Sequence, residues 1–130
     1  MSTAIDNTNK KTVLVVEDNE PDKVLVSTRI RQKWPNVDII SGTSIAKAIE
    51  ILNQQAVNIV LLDLNLDDSK GSDTVKELRS LYEDLSIVVL TGLANDKTVS
   101  ECLKLGANHV AVKSQLLNDD FFNILEENSA

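Results

Sequence analysis

The stretch Ile59-Val60-Leu61-Leu62-Asp63-Leu64-Asn65-Leu66-Asp67-Asp68-Ser69-Lys70-Gly71 decides the fold. Four apolar residues lead directly into a carboxylate, and a short polar turn with a glycine follows before a helical pattern begins. A near-continuous apolar run reads as a strand covered on both faces, as in a parallel sheet. Such a strand delivers Asp63 to the carboxyl edge of the sheet, where open α/β sheets keep their ligand sites. A carboxylate at the end of a buried strand is costly unless something pairs with it. The rest of the chain is therefore searched for partners.

Upstream, Thr12-Val13-Leu14-Val15-Val16 reads as a first buried strand ending in Glu17-Asp18. Asn19 or Glu20 offers a helix start, with Pro21 near the first helical position, where its missing N–H does no harm. That helix is expected to reach about Trp34 and stop before Pro35. Val37, Ile39 and Ile40 suggest a shorter, mixed strand suited to a sheet edge. Thr43 or Ser44 can cap a second helix with Ile45, Ala48, Ile49 and Leu52 on one face. Downstream of Gly71, a third helix groups Val75, Leu78, Leu81 and Tyr82. Ser86-Ile87-Val88-Val89-Leu90 is another buried strand, ending in Thr91-Gly92. A fourth helix turns Ala94, Val99, Cys102 and Leu103 inward, and Gly106 suits its C-terminal cap. His109-Val110-Ala111-Val112 forms a fifth strand closed by Lys113. Residues 116–127 are expected to make one last helix containing Phe121, Phe122 and Leu125, with one of the two phenylalanines on the sheet.

Five alternations of strand and helix imply a parallel sheet with helices on both faces. Right-handed crossovers leave few topologies. In the common 2-1-3-4-5 order the first and third strands are neighbours at the switch point, so Glu17-Asp18 and Asp63 share one crevice. Thr91 and Lys113 then flank it. Residues 1–11 and 128–130 are read as tails around a single domain at 12–127.

Composition narrows the function. A net charge of -7 argues against a nucleic-acid surface, which needs clustered lysine and arginine. Aromatic residues at 3% leave no platform for stacking bases. The single cysteine, Cys102, excludes an internal disulfide and fits a reducing cytoplasm. No apolar run is long enough to span a membrane, and the first residues lack a signal peptide's apolar core.

Three carboxylates in one crevice repel one another and cannot all stay ionised cheaply without a cation. Mg²⁺ meets that need, because it takes oxygen ligands octahedrally, from one or two carboxylates plus waters and a substrate phosphate. Lys113 adds a compact positive charge suited to a phosphoryl oxygen, and Thr91 adds a hydroxyl. A carboxylate nucleophile with Mg²⁺, lysine and hydroxyl describes phosphoryl transfer to an aspartate.

These same residues carry a family likeness. Glu17-Asp18, Asp63 followed by Gly71, Thr91, Lys113 and the run Leu105-Gly106-Ala107 together resemble the bacterial two-component response-regulator receiver domain in its single-domain, chemotaxis-regulator-like form. The likeness spans about Thr12 to Glu127. It implies a flavodoxin-like doubly wound α/β fold and an Asp63 that accepts a phosphoryl group from a sensor histidine kinase or histidine phosphotransfer protein. Asp18, Asp63 and the backbone carbonyl of Asn65 would bind Mg²⁺, with Glu17 acting through a metal-bound water. Lys113 would pair with the phosphoryl group. Thr91 would move toward it, reshaping the face made by helix four, strand five and helix five for an output protein. Such a protein is a signalling switch rather than an enzyme, expected in the cytoplasm as a monomer or weak dimer, and free of nucleic acid and membrane.

Three positions depart from the family pattern. Val110 stands where Tyr or Phe is common. Ser114 follows Lys113 where a cis-proline is common; a cis bond before a non-proline costs about 2.5–4 kcal/mol, so a trans Lys113–Ser114 bond is expected. Asp67 stands where proline is frequent. With Asp68 it is read as a solvated loop charge rather than a ligand. The competing reading is a receiver-like interaction module without phosphorylation. An aspartate-nucleophile phosphatase of the haloacid-dehalogenase type wants Asp-x-Asp after its first strand, whereas Asp63-Leu64-Asn65 follows the third. A flavodoxin is disfavoured by the acids Glu17-Asp18 at the place where it holds a phosphate.

Overall fold

The computed structural model describes residues 10–66, 68, 71–92 and 95–129. Asp67, Leu93 and Ala94 lie outside the described residues, as do residues 1–9 of the expected N-terminal tail. In chain order the elements are β1 (Thr12–Val16), α1 (Glu20–Lys33), β2 (Asp38–Gly42), α2 (Ile45–Gln54), β3 (Ile59–Asp63), α3 (Asp73–Leu81), β4 (Ile87–Thr91), α4 (Asp96–Leu105), β5 (His109–Val112), a 3-10 segment (Lys113–Leu117) and α5 (Asp120–Asn128). The five strands are parallel in the order β2-β1-β3-β4-β5, the flavodoxin-like arrangement.

Burial follows position in the sheet. Every residue of β3 and β4 is buried, while the outer strands β2 and β5 are mixed. Successive side chains on a strand point to opposite faces, and the core divides accordingly. Leu14, Val16, Val60, Leu62, Ile87 and Val89 pack against α2, α3 and α4 through Ile45, Ala48, Ile51, Val75, Leu78 and Cys102. Val13, Val15, Ile59, Leu61, Val88, Leu90 and Ala111 pack against α1 and α5 through Val26, Ile30, Phe121, Ile124 and Leu125. Cys102 is a buried core residue, as expected, and Trp34 packs half-buried at the end of α1.

Caps set the helix starts. Asn19 accepts from the Asp22 N–H at 3.0 Å, with Pro21 in the first turn of α1. Ser44 caps α2 through the Lys47 N–H at 3.1 Å, and Asn95 caps α4 through the Thr98 N–H at 2.8 Å.

Two inward assignments need correction. Leu81 is 54% exposed and Leu103 47%. At about 100° per residue Leu81 shares its side of α3 with the buried Thr74, so its exposure goes with its place as the last residue of the helix and not with phase. Leu103 sits a full residue step round α4 from Cys102. On α2, Ile45 and Ala48 are buried as expected, joined by Ile51, and Ile49 and Leu52 pack partly covered against the same core.

The last helix also begins later than the sequence pattern implies. Residues 113–117 form 3-10 structure, and α5 starts at Asp120. The polar run Asn118-Asp119-Asp120 favours turns over helix interior. Arg29 of α1 takes the carbonyls of Leu116 (2.6 Å) and Asn118 (3.2 Å), which a continuous helix would have used itself. Phe121 is fully buried on the sheet; Phe122 is half-buried under the Arg29 guanidinium, 4.3 Å from its ring centre. α5 ends at Asn128, and Ser129 is buried, with its carbonyl accepting from Lys11 Nζ at 3.2 Å. The Lys113–Ser114 bond is trans, as expected.

Gly106 closes α4 at φ 120°, where an added Cβ would lie 2.6 Å from Arg79 Cγ. Arg79 itself donates to the Gly106 carbonyl at 3.0 and 2.8 Å and to Tyr82, Glu83 and Asn108. Gly106→Ala combines backbone strain with displacement of this clamp and is expected to lower stability by about 1–3 kcal/mol in urea unfolding. An unchanged midpoint would show that Arg79 yields without cost.

Candidate phosphoryl-acceptor and cation site

The topology places the ends of β1, β3, β4 and β5 at one edge. The register pairs Val16 with Leu62 and Asp63 with Leu90, so Glu17, one residue past β1, comes level with Asp63. Glu17 and Asp63 are buried, at 2% and 6% exposure, and Asp18 is exposed beside them. One carboxylate oxygen from each of Glu17, Asp18 and Asp63 lies within 4.8 Å of the others. Thr91 is buried at the end of β4, and Lys113 begins the segment after β5. All five residues expected at the site are thus brought to one edge.

Local hydrogen bonds fix the acids. The Asn65 N–H donates to Asp63 Oδ1 at 3.2 Å, and the Asn19 N–H to Glu17 Oε2 at 3.3 Å. The loop after β3 is drawn closed by the Gly71 N–H on the Leu64 carbonyl at 2.7 Å; Gly71 takes φ 68°, a left-handed conformation suited to glycine. Asn65 is exposed at the start of this loop.

Lys113 is the cation of the cluster. Its Nζ lies 2.7 Å from Asp22 Oδ2, 2.9 Å from Glu17 Oε1 and 3.7 Å from Asp63 Oδ1. Burial alone would pull its pKa down, but the hydrogen bond to Asp22 and the close Glu17 and Asp63 carboxylates outweigh it and hold the ammonium above the ordinary lysine range. Glu17 is the opposite case. Burial, reinforced by the neighbouring Asp63 carboxylate, pushes its pKa up to about 7.

Glu17 Oε1 is also the one buried side-chain polar atom, among the described residues, with no aligned hydrogen-bond donor. Lys113 is near enough to attract it as an ion but is not directed at it as a donor. A buried acceptor left open beside two further carboxylates fits a hard cation, and an all-oxygen donor set fits Mg²⁺ rather than a thiolate- or imidazole-loving metal.

Two residues near the site escape a reading of the sequence. Asp22 lies in the first turn of α1, and nothing in the local sequence links it to Lys113, 91 residues later. Asp68, read as a solvated loop charge, is exposed but caps α2: its carboxylate accepts from the Ile45 and Ala46 N–H groups at 3.0 and 3.1 Å. Those bonds hold its pKa below the usual carboxylate value. Nothing in the local sequence links Asp68 to a helix more than twenty residues earlier.

Residues 13–121 match the family described as response regulator receiver domain. The photosynthetic apparatus regulatory protein RegA of Rhodovulum sulfidophilum is 31% identical over 107 residues, covering 82% of this chain and 57% of RegA. The transcriptional regulatory protein ZraR of Escherichia coli (strain K12) is 27% identical over 101 residues, covering 78% of this chain and 22% of ZraR. The chain therefore spans about half the length of RegA and about a fifth of ZraR. Among solved structures, the Mn²⁺-bound form of response regulator Rcp1 matches with a TM-score of 0.72 at 27% identity over 90% of each chain. The signal receiver domain of merR from Colwellia psychrerythraea 34H shares the fold, with a TM-score of 0.81 at 19% identity over 90% of this chain and 96% of that one. The chain belongs to the response regulator receiver domain family. Receiver domains bind Mg²⁺ at an acidic pocket, and the cluster of Glu17, Asp18 and Asp63 has that character.

The raised Glu17 pKa sets a pH dependence. Folding favours the protonated acid, so without a cation this group's contribution to stability falls as pH rises from about 4.5 to about 7. A cation must displace that proton. Apparent Mg²⁺ affinity, measured by calorimetry, is expected to fall roughly fivefold to tenfold between about pH 7.5 and about pH 6. An affinity constant across that window would contradict the shifted Glu17.

Proposed function

We propose that this chain is a phosphorylation-controlled signalling switch whose phospho-acceptor is Asp63. The supporting observation is the meeting of three carboxylates and one lysine where β1, β3 and β5 end, with Lys113 Nζ 3.7 Å from Asp63 Oδ1. The donor is a phosphohistidine on a sensor histidine kinase or a histidine phosphotransfer protein. An Asp63 carboxylate oxygen attacks phosphorus, the P–N bond breaks, the imidazole leaves, and an acyl phosphate forms. Water later cleaves the new P–O bond, returning the carboxylate and releasing inorganic phosphate.

Glu17, Asp18, Asp63 and the Asn65 carbonyl are the residues that would hold Mg²⁺, which when bound offsets the charge between carboxylate and phosphoryl group. Lys113 pairs with one phosphoryl oxygen, and the Thr91 hydroxyl donates to another. Thr91 is in register with Val112, so its movement is felt along β5 and by α4. The face formed by α4, β5 and α5 is then the surface an output protein reads. Val110 packs half-buried against the core, so the readout runs through Thr91 and α4 and not through an aromatic ring on β5. We place this switch in the cytoplasm as a monomer or weak dimer, acting on protein partners without nucleic acid or membrane.

Intact mass after incubation with acetyl phosphate and Mg²⁺ tests the reading. One phosphoryl adduct is expected, absent in Asp63→Ala and reduced at least about tenfold in initial rate by Lys113→Ala. An adduct that survives Asp63→Ala, or none in the wild type, would remove Asp63 from its role.

A further inference from the structure

The closest partner of Lys113 is neither Asp63 nor a member of the carboxylate cluster. It is Asp22, in the first turn of α1, whose Oδ2 accepts from Nζ at 2.7 Å, a full ångström nearer than Asp63 Oδ1. Asp22 does not belong to the group of acids placed to share a cation. Its side chain is about two-thirds covered, and that of Lys113 about four-fifths, so the pair is shielded from the screening that empties surface salt bridges of value.

From this geometry we infer that Asp22 is a positioning residue that holds Lys113 away from Asp63 until a phosphoryl group competes for it. The inference rests on the phospho-acceptor reading of Asp63. A lysine ammonium is a compact charge on a flexible stem with three donors. In this arrangement one is engaged by Asp22 at 2.7 Å, which holds the ammonium at the rim of the carboxylate cluster, 3.7 Å from Asp63 Oδ1. A phosphoryl group on Asp63 brings new anionic oxygens within reach, and Lys113 must leave Asp22 to bind them. Asp22 therefore sets the balance between the unphosphorylated and phosphorylated arrangements without touching either the phosphoryl group or the metal.

Beryllofluoride, a phosphoryl mimic, is the probe. Its affinity at saturating Mg²⁺ is measured by fluorine NMR or calorimetry for wild type, Asp22→Asn and Glu20→Gln. Glu20 lies in the same helical turn and pairs with Lys23 at 2.9 Å, so its variant makes the same charge change without touching Lys113. Asp22→Asn is expected to bind beryllofluoride about threefold to fivefold more tightly, with Glu20→Gln unchanged and the gain abolished when Lys113→Ala is added. In the metal-free protein the Lys113 Nζ resonance is expected to shift in Asp22→Asn only. Equal or weaker binding by Asp22→Asn, or an equal gain in Glu20→Gln, overturns the inference while leaving the acceptor in place. Failure of the wild type to bind beryllofluoride at all overturns the acceptor reading itself.

Discussion

Two carboxylates that must be buried side by side are the constraint on which this structure turns. Glu17 and Asp63 end adjacent strands of a tightly packed sheet, where neither can be hydrated freely. Like charges in such a place repel unless positive charge is supplied. The fold answers with Lys113, delivered from the far side of the sheet by β5, and leaves one Glu17 oxygen without a directed donor. Glu17 is thus kept poised, its pKa pushed up by burial and one oxygen open to a cation.

Holding that state requires rigid surroundings. Strands β3 and β4 carry no polar side chain before their last residue, and the sheet is locked by apolar packing on both faces. Two arginines then secure the connections at its ends. Arg79 binds the turn between α4 and β5, and Arg29 binds the segment that follows Lys113. Each spends several donors on backbone carbonyls outside the regular helix and strand ladders. Asp68 does the reverse, offering its carboxylate to the open N–H groups of α2 and tying the loop after Asp63 to a neighbouring helix.

Much of this was legible in the sequence. The apolar runs before Glu17, Asp63 and Thr91 are each short, nearly unbroken and closed by a polar residue, and only a covered parallel sheet accounts for all of them together. The caps at Asn19 and Ser44 and the glycine stop at Gly106 announced themselves by residue type. Misplaced residues sat at rims. Leu103 has the right hydrophobicity but the wrong phase by part of a turn, and Leu81 falls at the very end of its helix, which a pattern of three or four apolar residues cannot resolve. The merged last helix failed because Arg29, nearly ninety residues away, competes for its carbonyls.

The sequence by itself determined the alternation of strand and helix, the burial of the central strands, and the identity of the five residues at the carboxyl edge, because these depend on local periodicity and on what can follow a buried strand. Tertiary structure alone decided which charges touch. Lys113 could have faced Asp63, Glu17 or open solvent, and it rests closest to Asp22, a residue 91 positions earlier. Such pairings are set by distances of a few ångströms between side chains from different elements. No periodicity encodes them, since each is a balance of burial, charge and geometry that exists only once the sheet has brought its strand ends together.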